Sequence, residues 1–143
     1  MAIKRIMVCL DGSKNSLKGL DTAVSIAEQT GSTLVCVYVI TTFGAFTAVH
    51  TPKISEGGWP DEARGIIEKA RKIVGQKPVK FEGIVIAGKS AGYDLTSFAN
   101  NPANKIDHIV VGARGTGFPK ELFFGSTSTF ILHKAKAPVT VVK

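Results

Sequence analysis

Three glycines and a run of hydroxyls carry the clearest chemical signal in this chain. Two residues separate Gly112 from Gly115, and nine more separate Gly115 from Gly125, which is followed by Ser126, Thr127 and Ser128. An apolar run, Ile109-Val110-Val111, precedes the first glycine. Glycine lets a backbone turn sharply and come close to a ligand. Hydroxyl residues after the last glycine mark a helix start. At such a start the unpaired N–H groups and the positive end of the helix dipole face one point, which favours an anion. Ser126 alone would meet the needs of ordinary capping; the further hydroxyls of Thr127 and Ser128 exceed them. The stretch predicts a nucleotide-phosphate site.

Such a site needs a buried strand behind it and a helix in front, and the hydropathy pattern supplies both. Residues 3–10 read as a strand that ends at Leu10, followed by the turn chemistry of Asp11-Gly12-Ser13. From Ser16 onward, Leu17, Leu20, Ala23, Val24 and Ala27 recur at helical spacing, and Gly31 stops the run. Residues 33–40 are continuous and β-branched, as expected of a strand covered on both faces. Residues 41–60 contain Gly44, Pro52, Gly57, Gly58 and Pro60 and read as a long loop, a candidate lid or interface. Residues 61–74 read as a helix with acids at its start and bases near its end, stopped by Gly75. A third strand is expected over 79–87 and a third helix over 91–100, ending near Asn101-Pro102. The fourth strand covers 108–111, the fourth helix 126–135, and the fifth strand 138–142, where a proline suits the strand start.

This alternation predicts one α/β domain over residues 1–143. The expected form is a three-layer, doubly wound, parallel five-stranded sheet in the order 3-2-1-4-5, with right-handed crossovers. In that order strands one and four are neighbours whose crossovers leave in opposite directions. A ligand crevice opens there, beyond the carboxyl ends of the strands. Asp11 follows strand one and Gly112 follows strand four, so both loops are expected at the same crevice.

A second string, Gly83-Ile-Val-Ile-Ala-Gly88-Lys89-Ser90, matches a phosphate-binding loop letter for letter. Its interior residues are strand formers, and an N–H committed to a sheet ladder cannot bind phosphate. No apolar strand ending in Asp follows it to hold magnesium. It reads as a strand running into a turn at Gly88 and Ser90.

The 143 residues, 44% of them hydrophobic, are enough for a real core and argue against disorder. No apolar run reaches the length of a membrane span. The opening Met1-Ala-Ile-Lys-Arg5 does not read as a signal peptide, so a cytoplasmic protein is expected. Cys9 and Cys36 have no CxxC spacing and suit buried thiols in a reducing compartment. His50, His108 and His133 lack metal-ligand spacing. The net charge of +7 favours an anionic partner. The densest basic stretch, Lys69, Arg71, Lys72, Lys77 and Lys80, straddles a helix end, where cations complement the dipole. No basic-aromatic motif or groove-reading element points to nucleic acid.

The chain resembles the universal stress protein family. The nucleotide-binding branch of that family carries G-2x-G-9x-G-(S/T), matched by Gly112, Gly115, Gly125 and Ser126. Val8-Cys-Leu-Asp11-Gly-Ser-Lys-Asn-Ser16 resembles its strand-one signature, and Ala137-Pro-Val-Thr-Val-Val142 its closing strand. The resemblance implies the adenine-nucleotide α-hydrolase-like form of the fold, with ATP and magnesium in the crevice. By position, Asp11, beside Leu10, would contact the ribose or adenine side, and Val39 would meet adenine through its backbone. Val111 and Gly112 would line the ribose and phosphate side. Gly115, Gly125, Ser126 and Thr127 would hold the phosphates, with Ser128 as a further candidate. Asp11 has a second reading as the residue that caps the first helix. The resemblance also implies a homodimer built on the last strand, with Val139, Val141 and Val142 as its apolar edge.

Two stretches depart from the family pattern. Lys89-Ser90-Ala91-Gly92-Tyr93 lacks the proline often found near the start of the third helix. Residues 116–124 are unusually aromatic, and Phe118, Phe123 and Phe124 are expected to fold back on the domain or a partner. Arg114 and Lys120 either neutralise phosphate or stand in solvent.

No Ser–His–Asp arrangement and no carboxylate cluster for metal-assisted attack is readable. The expected function is an ATP-binding, nucleotide-dependent regulator in stress response with slow hydrolysis at most. The alternative is a nucleotide-independent dimeric interaction module that works through its long loop and dimer surface. A phospho-acceptor domain of similar topology would need an acid after strand three, where Ala87-Gly88-Lys89-Ser90 supplies none.

Overall fold

The continuous apolar runs form strands because both of their faces are covered. The computed structural model describes residues 2–41, 53–113 and 125–143. Its strands are β1 (Arg5–Leu10), β2 (Thr33–Thr41), β3 (Lys53–Ile54), β4 (Lys80–Gly88), β5 (His108–Gly112) and β6 (Val139–Val142). Its helices are α1 (Lys14–Thr30), α2 (Asp61–Val74), α3 (Ala91–Asn100) and α4 (Ser126–Lys134). The sheet order is β3-β4-β2-β1-β5-β6, with all pairings parallel except that of β3 with β4. The five parallel strands stand in the expected order, and the short antiparallel β3 adds a sixth strand at one edge.

Alternate residues of β1 and β2 feed two separate cores. Ile6, Val8, Leu10, Leu34 and Cys36 pack with Leu20 and Val24 of α1 and Ile67 and Val74 of α2. Met7, Cys9, Val35 and Val37 pack on the other face with Leu95 of α3 and Ile131 of α4. Helices therefore cover both sheet faces. The two cysteines are free and sit in different cores. Among the described residues, no helix is long and apolar enough to cross a membrane.

Three local readings change. Within the segment expected to be a loop, Thr41 still belongs to β2, β3 pairs Lys53 with Ile86 and Ile54 with Val85, and a 3-10 turn spans Glu56–Gly58. Trp59 anchors this return: it is 7% exposed, and its Nε1–H donates to the Ile54 carbonyl at 3.0 Å. A two-residue strand has no period for a sequence reading to detect. The rest of that loop lies outside the described residues. Helix α1 starts earlier than its apolar spacing implied. Ser13 caps it, accepting Ser16 N–H at 3.1 Å, while Asp11 Oδ1 accepts Ser13 N–H at 2.8 Å. Asp11 thus forms the turn before the helix rather than the cap itself. The basic stretch over residues 69–80 is also not uniformly solvated. Arg71 bonds Glu68 at 3.1 Å, reaches Glu56 at 3.5 Å and stacks its guanidinium over Phe81.

The string that imitates a phosphate loop is strand from Gly83 to Gly88, and its last two residues, Lys89 and Ser90, form the turn into α3. Gly83 to Gly88 pair residue by residue with Cys36 to Thr41 of β2. Gly88 is small because the buried Asp94 carboxylate occupies the space a side chain there would need. That carboxylate also accepts the Ser90 N–H at 3.0 Å, satisfying a group at the start of α3.

Candidate functional site

Strands β1 and β5 lie side by side through Ile6↔His108, Met7↔Ile109 and Val8↔Val110. The chain leaves β1 toward α1 on one face, whereas α4, which follows β5, lies on the other. A cleft of about 330 Å³ opens over their carboxyl ends. Ligand sites of small molecules commonly begin at about this volume. The helix layer closes against β5 very tightly: a side chain at Gly112 would come within 2.7 Å of the Asn15 carbonyl oxygen in the first turn of α1. The first glycine of the motif is therefore required by packing, whatever the cleft holds.

The cleft has three chemically distinct walls. Cys9, Val39, Ala91, Leu95 and Val111 make an apolar wall on the α3 side. Asp11, Tyr38 and Glu62 make a wall of oxygen atoms on the α2 side, where Tyr38 packs against the other core. Gly112 at the end of β5, with Gly125, Thr127 and Ser128 at the start of α4, forms the third wall.

The third wall gets its chemistry from the way α4 begins. Gly125 is the residue preceding the first turn and provides no side-chain cap. Ser126 is the first helical residue, so it does not cap the helix as expected. The early N–H groups of a helix have no acceptor within the helix, and here no side chain of the capping residue supplies one. The backbone is held in place from behind. Gly125 N–H donates to Ala113 O at 2.7 Å, and the buried Ser128 hydroxyl lies 3.0 Å from that carbonyl and 3.1 Å from Gly125 O. Ser128 thereby ties the end of β5 to the start of α4.

Electrostatics separate the walls further. Burial, then the charge of Asp11, pushes the Cys9 thiol up to about 12, so it stays neutral and behaves as apolar surface. Cys36 is raised by burial and then by Cys9. Tyr38 is raised first by burial, then by the charge of Glu62 and a hydrogen bond to it, and then by Asp11. The phenol therefore remains protonated. Among the described residues, no group of three or more His, Cys, Asp or Glu side chains could hold a metal ion.

Of the residues the sequence pointed to, Leu10, Asp11, Val39, Val111, Gly112, Gly125, Thr127 and Ser128 all line this cleft. Ser126 is exposed at its rim and is not part of the lining. Gly115 lies outside the described residues, as do Arg114, Phe118, Lys120, Phe123 and Phe124. Sequence reasoning missed Cys9, Tyr38, Glu62, Ala91 and Leu95. The signal for Cys9 and Tyr38 was available: each stands near the carboxyl end of a central strand. Glu62 gave none beyond being an acid in the first turn of α2.

The chain matches the model of the universal stress protein family over residues 2–143. It is 29% identical over 152 aligned residues to universal stress protein YxiE of Bacillus subtilis, covering 97% of this chain and 98% of that protein. The structure of universal stress protein UspA from Lactobacillus plantarum superimposes with a TM-score of 0.81 at 21% identity, over 100% of this chain and 99% of that one. Two further structures are complexes with nucleotides. A universal stress protein bound to cAMP gives a TM-score of 0.74 at 21% identity, covering 100% and 98% of the two chains. One from Archaeoglobus fulgidus bound to dAMP gives 0.70 at 22% identity, covering 100% of both.

The raised Cys9 group makes stability pH-dependent in a defined direction. The unfolded chain loses the thiol proton near pH 9, the folded chain only near 12, so this contribution is complete below pH 9 and is lost as pH rises toward 12. Urea unfolding across that range should show the wild type losing up to about 1.4 kcal/mol per pH unit more than Cys9→Ala. Parallel profiles would contradict the burial of a neutral thiol in the cleft wall.

Proposed function

The chain belongs to the universal stress protein family, and from that premise we propose that it binds an adenine nucleotide in the β1–β5 cleft and acts as a nucleotide-dependent regulator in stress response. The observation that carries this reading is the division of one cleft into apolar, acceptor and donor walls. A nucleotide has the same three parts. A flat base suits the slot between Val39, Leu95 and Val111, sugar hydroxyls suit Asp11, and phosphates suit the N–H groups at the start of α4. Related proteins of the same fold form complexes with cAMP and dAMP, which supports adenine as the base.

ATP accompanied by magnesium is the form we favour. Magnesium is commonly held by one or two carboxylates together with substrate phosphates, so the ion would arrive with the nucleotide. Leu10 and Val39 would flank the base, with the Val39 backbone meeting adenine. Gly112, Gly125 and Thr127 would face the phosphates, Ser126 would reach those that project beyond the rim, and Ser128 would hold the helix start in place. Gly115 belongs to the same proposed set. Hydrolysis would be slow, since phosphoryl transfer depends on positioning, metal and charge stabilisation together, and a lone Asp11 supplies too little of these.

Strand β6 lies at a sheet edge, and Val139, Val141 and Val142 are only half-buried there. An apolar edge of this kind is a liability unless it is covered. We assign it to a homodimer, which sedimentation should reveal at about twice the 15.2 kDa chain mass; a lone protomer at micromolar concentration would contradict it. The two buried free thiols fit a reducing cytoplasm.

Calorimetry with ATP and magnesium tests the main reading. Saturable binding is expected, and no heat at millimolar ATP would end it. Gly125→Val sharpens the test. The backbone at Gly125 (φ −75°, ψ 169°) is open to a branched residue, so the fold should survive with an unchanged circular dichroism spectrum. The added bulk should weaken nucleotide binding at least about tenfold, the loss expected when a phosphate is kept from its donors. Unchanged binding would remove the phosphates from the start of α4, and an unchanged phenotype with lost binding would favour the nucleotide-independent module.

A further inference from the structure

The pole of the molecule opposite the cleft holds most of its net charge, and we infer that this face docks on the surface of an anionic membrane, whatever the cleft binds. The five parallel strands begin at this pole, so it also collects the last turns of α1, α2, α3 and α4. Lys4 precedes β1, Lys80 opens β4, and Lys105 and Lys136 stand in the segments that lead into β5 and β6. Lys72 lies in the last turn of α2, Lys77 just beyond it, and Lys134 ends α4. All of these lysines are exposed, and among the described residues none makes a side-chain ion pair.

Helix dipoles explain only part of this arrangement. Lys72 and Lys134 complement the last carbonyls of their helices. Lys4, Lys80, Lys105 and Lys136 belong instead to strand starts and their approaches. The nearby acids are already engaged. Glu82 bonds Arg5 at 3.0 Å, Glu68 bonds Arg71 at 3.1 Å, and Asp107 accepts the N–H groups of Lys4 and Arg5 at 2.9 Å each. With Glu28 in the last turn of α1, four acids stand here against nine lysines and arginines. The rest of the described chain holds six acids against seven basic residues. The net charge of +7 is therefore concentrated away from the cleft. Lys105 adds a second sign. Its φ of 53° is the one left-handed backbone among the described non-glycine residues. Glycine or asparagine takes that conformation more easily, so the turn itself does not call for lysine.

A face with this charge fits a polyanion, and its layout selects among polyanions. The lysines come from the ends of elements in all three layers. Strands β4 and β6 are four strand spacings apart, about 19 Å. The charges thus spread over a broad face. A nucleic-acid duplex is a cylinder and would meet such a face along one line, whereas a bilayer is flat at this scale and meets the lysines together. Nucleic-acid readers also favour free arginine forks and stacking aromatics. Here Arg5 and Arg71 are committed to glutamates. The large aromatic side chain exposed among the described residues, Tyr93, sits in the first turn of α3 at the other pole. Lysine is a point charge on a flexible stem, which suits mobile lipid headgroups that offer charge without fixed geometry. Cytoplasmic leaflets carry such a charge. A chain docked in this way presents its cleft to solvent.

Vesicle flotation of the full chain tests this docking. Vesicles of phosphatidylcholine alone should leave the protein behind, and an equimolar mixture with phosphatidylserine should carry it up. Raising the salt from about 0.1 M to about 1 M shortens the screening length from about 10 Å to about 3 Å and should release it. The combined variant Lys4→Gln, Lys80→Gln and Lys105→Gln should lower partitioning at least about tenfold, since each surface lysine is worth about fivefold. A control with the same loss of charge, Lys14→Gln, Lys18→Gln and Lys89→Gln, alters exposed lysines on the cleft half and should partition close to the wild type. It separates docking by one face from attraction by net charge. Failure of the wild type to bind the mixed vesicles would overturn the proposal, as would equal losses in the two variants. Binding to a duplex DNA fragment that the first variant loses, with the mixed vesicles left bare, would assign the face to nucleic acid and overturn it as well.

Discussion

The pairing of β1 with β5 is the constraint on which the rest of the molecule depends. Parallel hydrogen bonding places both carboxyl ends on one edge of the sheet. Opposite departures of the chain then keep α1 and α4 from covering the same spot, and an opening is left between them. Gly112 shows how little slack there is. The backbone of Asn15 sits where any side chain at that position would go, so the turn carrying Asp11 is held against the end of β5. Acceptor and donor groups meet over one cleft because the sheet order leaves them no other place.

The cleft stays open while the body around it is closely packed. Two cores, one on each sheet face, bury the central strands, and Ile6, Met7, Val8, Val35 and Val37 have no exposed surface. Most polar groups near the cleft are tied to the backbone. Ser128 joins the end of β5 to the start of α4, Asp94 holds the start of α3, and Asp11 shapes the turn before α1. Those bonds place the wall atoms without filling the space between them. Rigid support of this kind lets N–H groups and carboxylates face a ligand with little further ordering.

The layout was readable from sequence where burial imposes a long pattern. Parallel strands covered on both faces appear as unbroken apolar runs, so β1, β2, β4 and β5 and their order were legible, and α2 was bracketed by its leading acids and Gly75. The site was legible where a residue's type is tied to backbone geometry, as with Gly112, Gly125 and the turn at Asp11. It failed where one residue serves two masters. Glu62 is fully explained as an acid at a helix start, so its place in the cleft wall leaves no separate trace. Tyr38 is hidden inside an apolar run. Ser128 looked like a phosphate-binding hydroxyl because its partner, the Ala113 carbonyl, is fifteen residues away in the chain. Residues 42–52 and 114–124 lie outside the described structure, and Gly115 among them stays an expectation from sequence.

The most direct test is a backbone-amide NMR titration of the whole chain with AMP. If one nucleotide spans the cleft, the amide signals of Asp11, Val39, Gly112, Ser126 and Thr127 should move together and saturate on a single binding curve. Shifts confined to one strand end, or grouped elsewhere on the surface while these five stay still, would contradict a single nucleotide site built by the two strands.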